Sequence, residues 1–376
     1  MSKNVTVCDT TSLTKKSFFV PYFPHILMIS WRTANEDSCE SRFDRYLFVV
    51  LASHEKLFME IGLSITIVGT IGIDTIETPF GRAEQILGGS ATYCALAAAH
   101  FASVNLVAVA GSDIGDSLTT LDRPGIDTRG IEHGDGPNFR WGGRYHMDFN
   151  SRDTLFTELG VLATFAPKVP EPYRDADILF LANLQPTVQD SVFAQMQKPR
   201  LTALDTMNFW IESSRDDLAQ VMSKVDVVIM AEDEVRQFAG TGNLRAAARQ
   251  VFALGPKVLV VKLGSYGALM LDAAGTYFAA PGFPLDDVRD PTGAGDAFAG
   301  GFLGALAQVL ATGRAITPTD FKRSLIYGNI MGAFTCEAFG VARLTEITNR
   351  DIAQRYAELI AFTHLDSGSA SPEASR

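Results

Sequence analysis

From residue 61 onward, short apolar runs alternate with stretches of helical pattern, and few folds accept that rhythm. The runs are Ile65–Gly69, Val104–Ala110, Ile178–Ala182, Thr202–Asp205, Val225–Met230 and Val258–Lys262. They lack a clean in-and-out alternation, so each is expected to be buried on both faces, as in a parallel sheet with helices above and below. Ser90–Phe101 (SATYCALAAAHF) and Leu244–Leu254 have the composition of crossover helices. The sequence therefore predicts an α/β fold, a doubly wound and mostly parallel sheet sandwiched by helices.

Three segments fall outside the rhythm. Phe139–Leu159 (FRWGGRYHMDFNSRDTLFTEL) mixes aromatic and polar residues in near alternation, which predicts partly exposed antiparallel strands at the edge of the domain. It reads either as a small β lid over a cleft, spanning residues 137–160, or as a plain hairpin excursion. Residues 1–58 share no pattern with the rest. Within them Ser17–Trp31 is apolar but broken by Pro21, Pro24 and His25, and it is shorter than the roughly 20 apolar residues a membrane helix needs. Met59 stands directly before the first core run, so 1–58 is expected to be an extension or a mis-assigned start, with the folded domain at 59–365. The polar end Asp366–Arg376 is expected to be disordered.

The stretch richest in chemistry is Asp290–Leu303, DPTGAGDAFAGGFL. Thr292-Gly293-Ala294-Gly295 is a turn of small residues, and Asp296 opens a long helix of small residues. Small residues let backbone approach a ligand closely, and N–H groups at a helix start form a site for phosphate. A carboxylate in that turn repels phosphate, so binding phosphate is not its purpose. Beside a phosphoryl group in transfer it could take the proton of an attacking hydroxyl. The residues alone leave a second reading open, in which Asp296 merely caps the helix.

Composition narrows the partners. With 43 acidic and 32 basic residues the net charge is -11, and no Lys/Arg cluster occurs, which argues against nucleic acid and anionic membrane. A phosphate ligand is compatible with this charge, because local backbone amides can hold it. Cys8, Cys39, Cys94 and Cys336 are widely spaced, with no C-x-x-C pair, which fits free thiols in a reducing cytoplasm.

The Asp290–Leu303 stretch resembles, at every position, the C-terminal signature of the PfkB or ribokinase-like carbohydrate kinases. The resemblance extends over roughly residues 62–345. It implies an ATP- and Mg2+-dependent kinase acting on a sugar or nucleoside hydroxyl. Asp296 would be the general base, Gly293, Ala294 and Gly295 the anion hole, and Thr292 would lie beside the nucleotide. Asp74, in GTIGID, would hydrogen-bond substrate hydroxyls, and Gly88-Gly89 would let substrate lie against the backbone.

The family usually places Asn, touching the sugar, where this chain has Tyr93; Tyr93 is thus a candidate substrate contact, and the departure points to a different or larger substrate. Lys262, Gly264 and Gly267, in VVKLGSYGAL, would lie near the nucleotide phosphates and ribose, and Asn329 would line the adenine pocket. Glu234 matches the second residue of the family's Asn-x-x-Glu motif, which organises magnesium through water, but Ala231 stands in place of the Asn. LDTMNFW and NLQP resemble a branch of these kinases whose substrate is uncharacterised, with Asp205 and Asn208 just past a strand end, where such sheets bind ligands. Arg140, Arg144, Asp148, Asn150 and Arg152 of the lid are further candidate substrate contacts. Lids of the family often pair two copies, so a homodimer through the lid is a further expectation.

Two other nucleotide-binding folds fail on spacing. Gly69 and Gly72 do not make Gly-x-Gly-x-x-Gly, and no G-x-x-x-x-G-K-[ST] occurs. One rival of another class stays open, a regulatory protein that binds nucleotide or sugar without turnover. Ala231 and Tyr93 favour it, and the intact Asp290–Leu303 loop opposes it.

Overall fold

The computed structural model describes residues 63–363 and one short antiparallel strand pair, β1 (Lys16–Ser17) with β2 (Ser30–Trp31). The expected extension 1–58, that pair aside, and the expected tail Asp366–Arg376 lie outside the described residues. The chain divides into two units, Met1–Ile61 and Gly62–Arg376.

The second unit begins with β3 (Ser64–Val68), β4 (Gly72–Thr78), β5 (Gly81–Gly88), α1 (Ser90–Ala98), β6 (Ser103–Gly111) and β7 (Ile126–Gly134). After β8 (Phe139–Tyr145) and β9 (Arg152–Glu158) come β10 (Ile178–Leu181), α2 (Pro186–Gln195), β11 (Leu201–Asp205), α3 (Asn208–Ser213) and α4 (Arg215–Met222). The chain continues through β12 (Val227–Ala231), α5 (Glu232–Ala239), α6 (Leu244–Leu254), β13 (Val258–Lys262), β14 (Ala268–Asp272) and β15 (Tyr277–Ala280). It ends in α7 (Ala294–Ala311), α8 (Pro318–Thr335), α9 (Ala342–Glu346) and α10 (Asn349–Thr363).

Nine strands form the main sheet in the order β15-β14-β13-β12-β11-β10-β3-β6-β7. Every pair from β13 to β7 is parallel, while β14 pairs antiparallel with both β13 and β15 at one edge. Burial on both faces explains the unbroken apolar runs. In β10, Ile178 and Phe180 pack toward α1, α7 and α8, while Leu179 and Leu181 pack toward α2, α4 and α6, and all four are fully buried. All the predicted core strands are present. Helix α7 is by length and composition apolar enough to cross a membrane, but two thirds of it is buried inside this domain. Its glycines serve helix packing: a Cβ on Gly300 would meet Cys94 O of α1 at 2.4 Å, and one on Gly301 would meet Met331 Cγ of α8 at 2.6 Å.

The lid is larger than 137–160. Four strands make it, in the order β5-β4-β8-β9, with two antiparallel hairpins joined by a parallel β4–β8 pair. Half of it thus comes from residues 72–88. These carry no sustained apolar run, and β5 is largely exposed, so hydrophobic patterning gave no strand signal there.

Candidate active site

The loop before α7 owes its shape to Asp290. Its fully buried carboxylate accepts from Thr292 N (2.9 Å) and from Gly340 N (2.9 Å), tying the turn to the segment that follows α8. Gly293, at the N-cap of α7, has φ 74°, in the left-handed region that favours glycine, and a Cβ there would lie 2.3 Å from the Tyr93 ring. The three amides expected to form an anion hole are not equivalent. The Ala294 N–H already donates to Pro291 O (3.2 Å), whereas those of Gly293 and Gly295 take no protein acceptor among the described residues.

Asp296 follows in the first turn of α7, half-buried. Burial pushes its carboxyl up to about 7, with help from the Asp205 carboxylate, while Lys262 and Arg152 pull the other way. Asp205 ends β11 and Lys262 ends β13. The Lys262 ammonium donates to Asp205 Oδ2 at 2.7 Å, in a pair whose side chains are 18% and 2% exposed. Burial works against the Lys262 charge, yet the carboxylates of Asp205 and Glu234 hold its pKa above the usual lysine range. Glu234 is itself buried, and burial lifts it to about 7. Its Oε2 accepts from Ala231 N (2.7 Å), so one oxygen of the expected magnesium organiser is spent on capping α5.

From the lid side, Asp74 on β4 is buried, and its carboxyl is lifted to about 8, first by burial and then by Asp290 and Asp296. Its Oδ2 fills the space over Gly88, where a Cβ would lie only 1.9 Å away, so the di-glycine admits this carboxylate before any ligand. Gly89 has φ 96°, and a Cβ there would meet Thr70 O at 2.4 Å. Tyr93, expected to touch substrate, is instead buried against Gly293, and its hydroxyl has no partner among the described residues. Buried hydroxyls are ordinarily paired, so an orphan at this place marks a ligand or water position.

The lid rests on this cluster. Thr292 Oγ1 donates to the Tyr145 hydroxyl (3.2 Å), and Asn150 reaches across to Ser265 N (3.3 Å) and Ser265 Oγ (3.4 Å). Gly264 has φ 58°, and a Cβ there would strike Asn150 Oδ1 at 2.0 Å. A Cβ on Gly267 would meet Ala280 O at 2.2 Å, so this glycine shapes the β13–β14 turn. These contacts tie the lid to the loop before α7 and to the β13–β14 turn. Two cavities, about 620 and 360 Å3, open elsewhere, and neither is lined by Asp296 or its neighbours.

Four expected ligand contacts are occupied by the protein itself. Arg140 is paired with Asp113 at 2.6 Å, because β8 runs alongside the loop that follows β6. Arg144 is likewise held by Glu77. Asn208 opens α3 and donates to Gln237 (2.6 Å) and Asp233 (3.2 Å), tying α3 to α5. Asn329 spends its amide on Ala280 O (3.1 Å) and Pro281 O (2.8 Å), which fixes the chain after β15 rather than presenting donors to a ligand.

Sequence reasoning passed over Tyr145 and the pinning role of Asp290. Tyr145 stands in register opposite Arg152 across β8–β9, so the two share a lid face, and both act electrostatically toward the loop before α7. Alternation along β8 was the available signal, but the face turned toward the cleft depends on pairing with β4.

Comparison with known proteins bears directly on this arrangement. The chain matches the model of the pfkB family carbohydrate kinases over residues 65–348. It is 30% identical over 250 residues to a cytidine kinase of Thermococcus kodakarensis, covering 65% of this chain and 89% of that one. It is 31% identical over 142 residues to an aminoimidazole riboside kinase of Salmonella typhimurium, covering 36% and 44%. Among solved structures, a Burkholderia thailandensis nucleoside kinase in complex with inosine superposes with a TM-score of 0.65 at 16% identity, over 79% of this chain and 98% of that one. The nucleoside kinase of Methanocaldococcus jannaschii, an archaeal member of the ribokinase family, gives 0.62 at 19% identity, over 78% and 98%. A match over most of the folded domain, on a ribokinase-like fold, places this chain in the pfkB family of carbohydrate kinases.

Proposed function

We propose that this chain transfers the terminal phosphoryl group of ATP to a hydroxyl of a nucleoside or sugar, with Asp296 as general base. One observation carries the reading: a half-buried carboxyl, lifted to about 7, in the same turn as two backbone amides that lack acceptors among the described residues. A base works best with its pKa near the working pH, and the amides suit oxygens that gain charge during transfer. Asp296 would accept the hydroxyl proton as the new O–P bond forms and the bond to the leaving phosphate oxygen breaks. Gly293 and Gly295 would hold the migrating group. Asp74, above its ordinary range at about 8, keeps its proton at neutral pH and can both donate to and accept from a substrate hydroxyl.

The residues present fit the nucleotide and metal in different degrees. The free amides and the orphan Tyr93 hydroxyl suit phosphate and a bound ligand. No group of three or more His, Cys, Asp or Glu that could hold a metal occurs among the described residues. Magnesium tolerates this, since it keeps several waters and takes much of its coordination from phosphates, with Glu234 ordering one of those waters rather than binding the ion. ATP supplies the activated phosphoryl group and the metal offsets its charge; positioning and proton removal belong to the chain. The relatives acting on cytidine and aminoimidazole riboside make nucleosides the first acceptors to try. Free thiols at Cys94 and Cys336 suit a cytoplasmic setting, and a second copy pairing along β9 would cover Leu155 and Phe156, which are exposed on that lid edge.

The test is ADP release with Mg2+ and ATP over a panel of nucleosides and sugars. Turnover on one acceptor class supports the kinase. ATP binding without turnover on any acceptor supports the regulatory alternative that Ala231 and Tyr93 favour. Two further outcomes follow for an active acceptor. As pH falls through about 7, Asp296 takes up a proton and stops acting as a base, so kcat/KM at pH 6 should be about a tenth of its plateau; a flat profile from 5.5 to 8 would remove Asp296 from that role. Tyr145→Phe deletes the bond from Thr292 that seats the lid. One net hydrogen bond of about 1 kcal/mol predicts an acceptor KM about fivefold higher, with kcat little changed in steady-state assays.

A further inference from the structure

Lys262, Ala231 and Asp205 end three adjacent strands and share one face of the sheet. Lys262 pairs in register with Ala231, and Asp205 pairs with Ile229, two residues earlier on the same face of β12. Adjacent strands lie about 4.8 Å apart, so the backbones of β13 and β11 are separated by roughly 10 Å. The Lys262 side chain spans that distance across β12 to place its ammonium 2.7 Å from Asp205 Oδ2. The methyl group of Ala231 leaves the route open. At its far end the lysine lies under the catalytic loop, where a Cβ on Gly295 would come within 3.2 Å of Nζ.

Such a pair is an expensive way to hold two strand ends together. Apolar residues of similar volume often stabilise a protein as well or better, so a buried ion pair at a cleft invites a functional explanation. An ammonium has three donors, and Asp205 is its one hydrogen-bond acceptor among the described residues, which leaves donors for the oxygens of a group held at Gly293 and Gly295. The Glu234 carboxylate acts on the same ammonium and favours its charged form.

We infer that Lys262, stretched across Ala231 onto Asp205, is the fixed cation of the transfer site and a positioning residue that sets the charge state of Asp296. The inference rests on the reading of Asp296 as base. The charged and titratable groups that act on Asp296 come from several neighbouring elements: Asp205 and Lys262 from the sheet edge, Arg152 and Asp74 from the lid, and Tyr93 and Cys94 from α1, with Tyr145 and Asp290 one contact further out. Of these, Asp205 and Lys262 act on it with opposite sign.

Opposite signs give a test that general damage cannot imitate. In the pH profile of kcat/KM, Lys262→Met removes a cation and should move the acid limb up by about half a pH unit or more, and Asp205→Asn removes an anion and should move it down by a similar amount. Lys262→Arg should keep the limb near its wild-type position. Ala231→Asn places an amide in the lysine's path and should lower kcat about tenfold while moving the limb upward. If Lys262→Met does not fold, Ala231→Asn carries the test alone. Limbs that shift in the same direction, or stay within about 0.2 of wild type, would overturn the inference, as would an Ala231→Asn enzyme with wild-type kcat. Asp296→Asn separates the two levels: if that variant keeps its activity, the base assignment fails, and if it is dead while the limbs stay put, only the role of Lys262 fails.

Discussion

Asp296→Asn should cost about 100- to 10,000-fold in kcat while ATP binding survives. The amide has the shape of the carboxyl and keeps the same position in the first turn of α7, but it cannot accept the hydroxyl proton. Ground-state binding of nucleotide does not need that proton acceptor, and removing a negative charge beside the phosphates makes their binding equal or tighter. Thermal stability should not fall. Burial has lifted this carboxyl to about 7, so above that pH the folded protein carries an ionised group in a site that disfavours it. At pH 8 the Asn variant should therefore melt at the wild-type temperature or higher. Lost turnover, retained affinity for a non-hydrolysable ATP analogue and an unlowered Tm form a pattern that a helix-capping role does not produce, since loss of a cap lowers Tm and leaves chemistry in place. Residual activity above a tenth of wild type would end the case for a base at this position.

How much of this site could be read in advance depends on what kind of contact fixes each part. The core strands were legible because their faces are both buried: Ile178–Leu181 is apolar throughout since each residue meets one helix layer or the other. The Asp290–Leu303 loop was legible because its constraints are local, a glycine with positive φ followed by the first turn of a helix. Local reading failed where distant strands decide the outcome. Half of the lid, residues 72–88, is polar and pairs with β8 only through the parallel β4–β8 contact. Arg140 has the pattern of a cleft residue but meets Asp113 from another loop. The pairing of Lys262 with Asp205 needs the order β13-β12-β11, and nothing within 57 residues of separation announces it. Ala231 looked like a missing metal organiser, yet beside Lys262 its small size has a use.

Gly293→Ala should be the most damaging single methyl in the chain. Two penalties coincide at that position. With φ 74° the backbone is left-handed, which costs a residue with a Cβ about 1–2 kcal/mol. The added carbon would lie 2.3 Å from the ring of Tyr93, itself fully buried and unable to swing out, and overpacking of that kind costs about 1–3 kcal/mol. Together they predict a loss of about 3 kcal/mol and a Tm lower by roughly 5 °C for a domain of this size. The loop can avoid the clash only by moving, which carries the amide of Gly293 and the carboxyl of Asp296 away from each other's target. A displacement of about 1 Å at a reacting centre costs about 100-fold in rate. Differential scanning calorimetry and ADP release measure the two losses separately. Adding Tyr93→Ala to Gly293→Ala removes the steric part but not the backbone part, so the double variant should recover activity over the single one while still melting below wild type. A double variant no better than the single would mean that the ring of Tyr93 does not hold this loop in place, and the geometry on which the anion site depends would need another support.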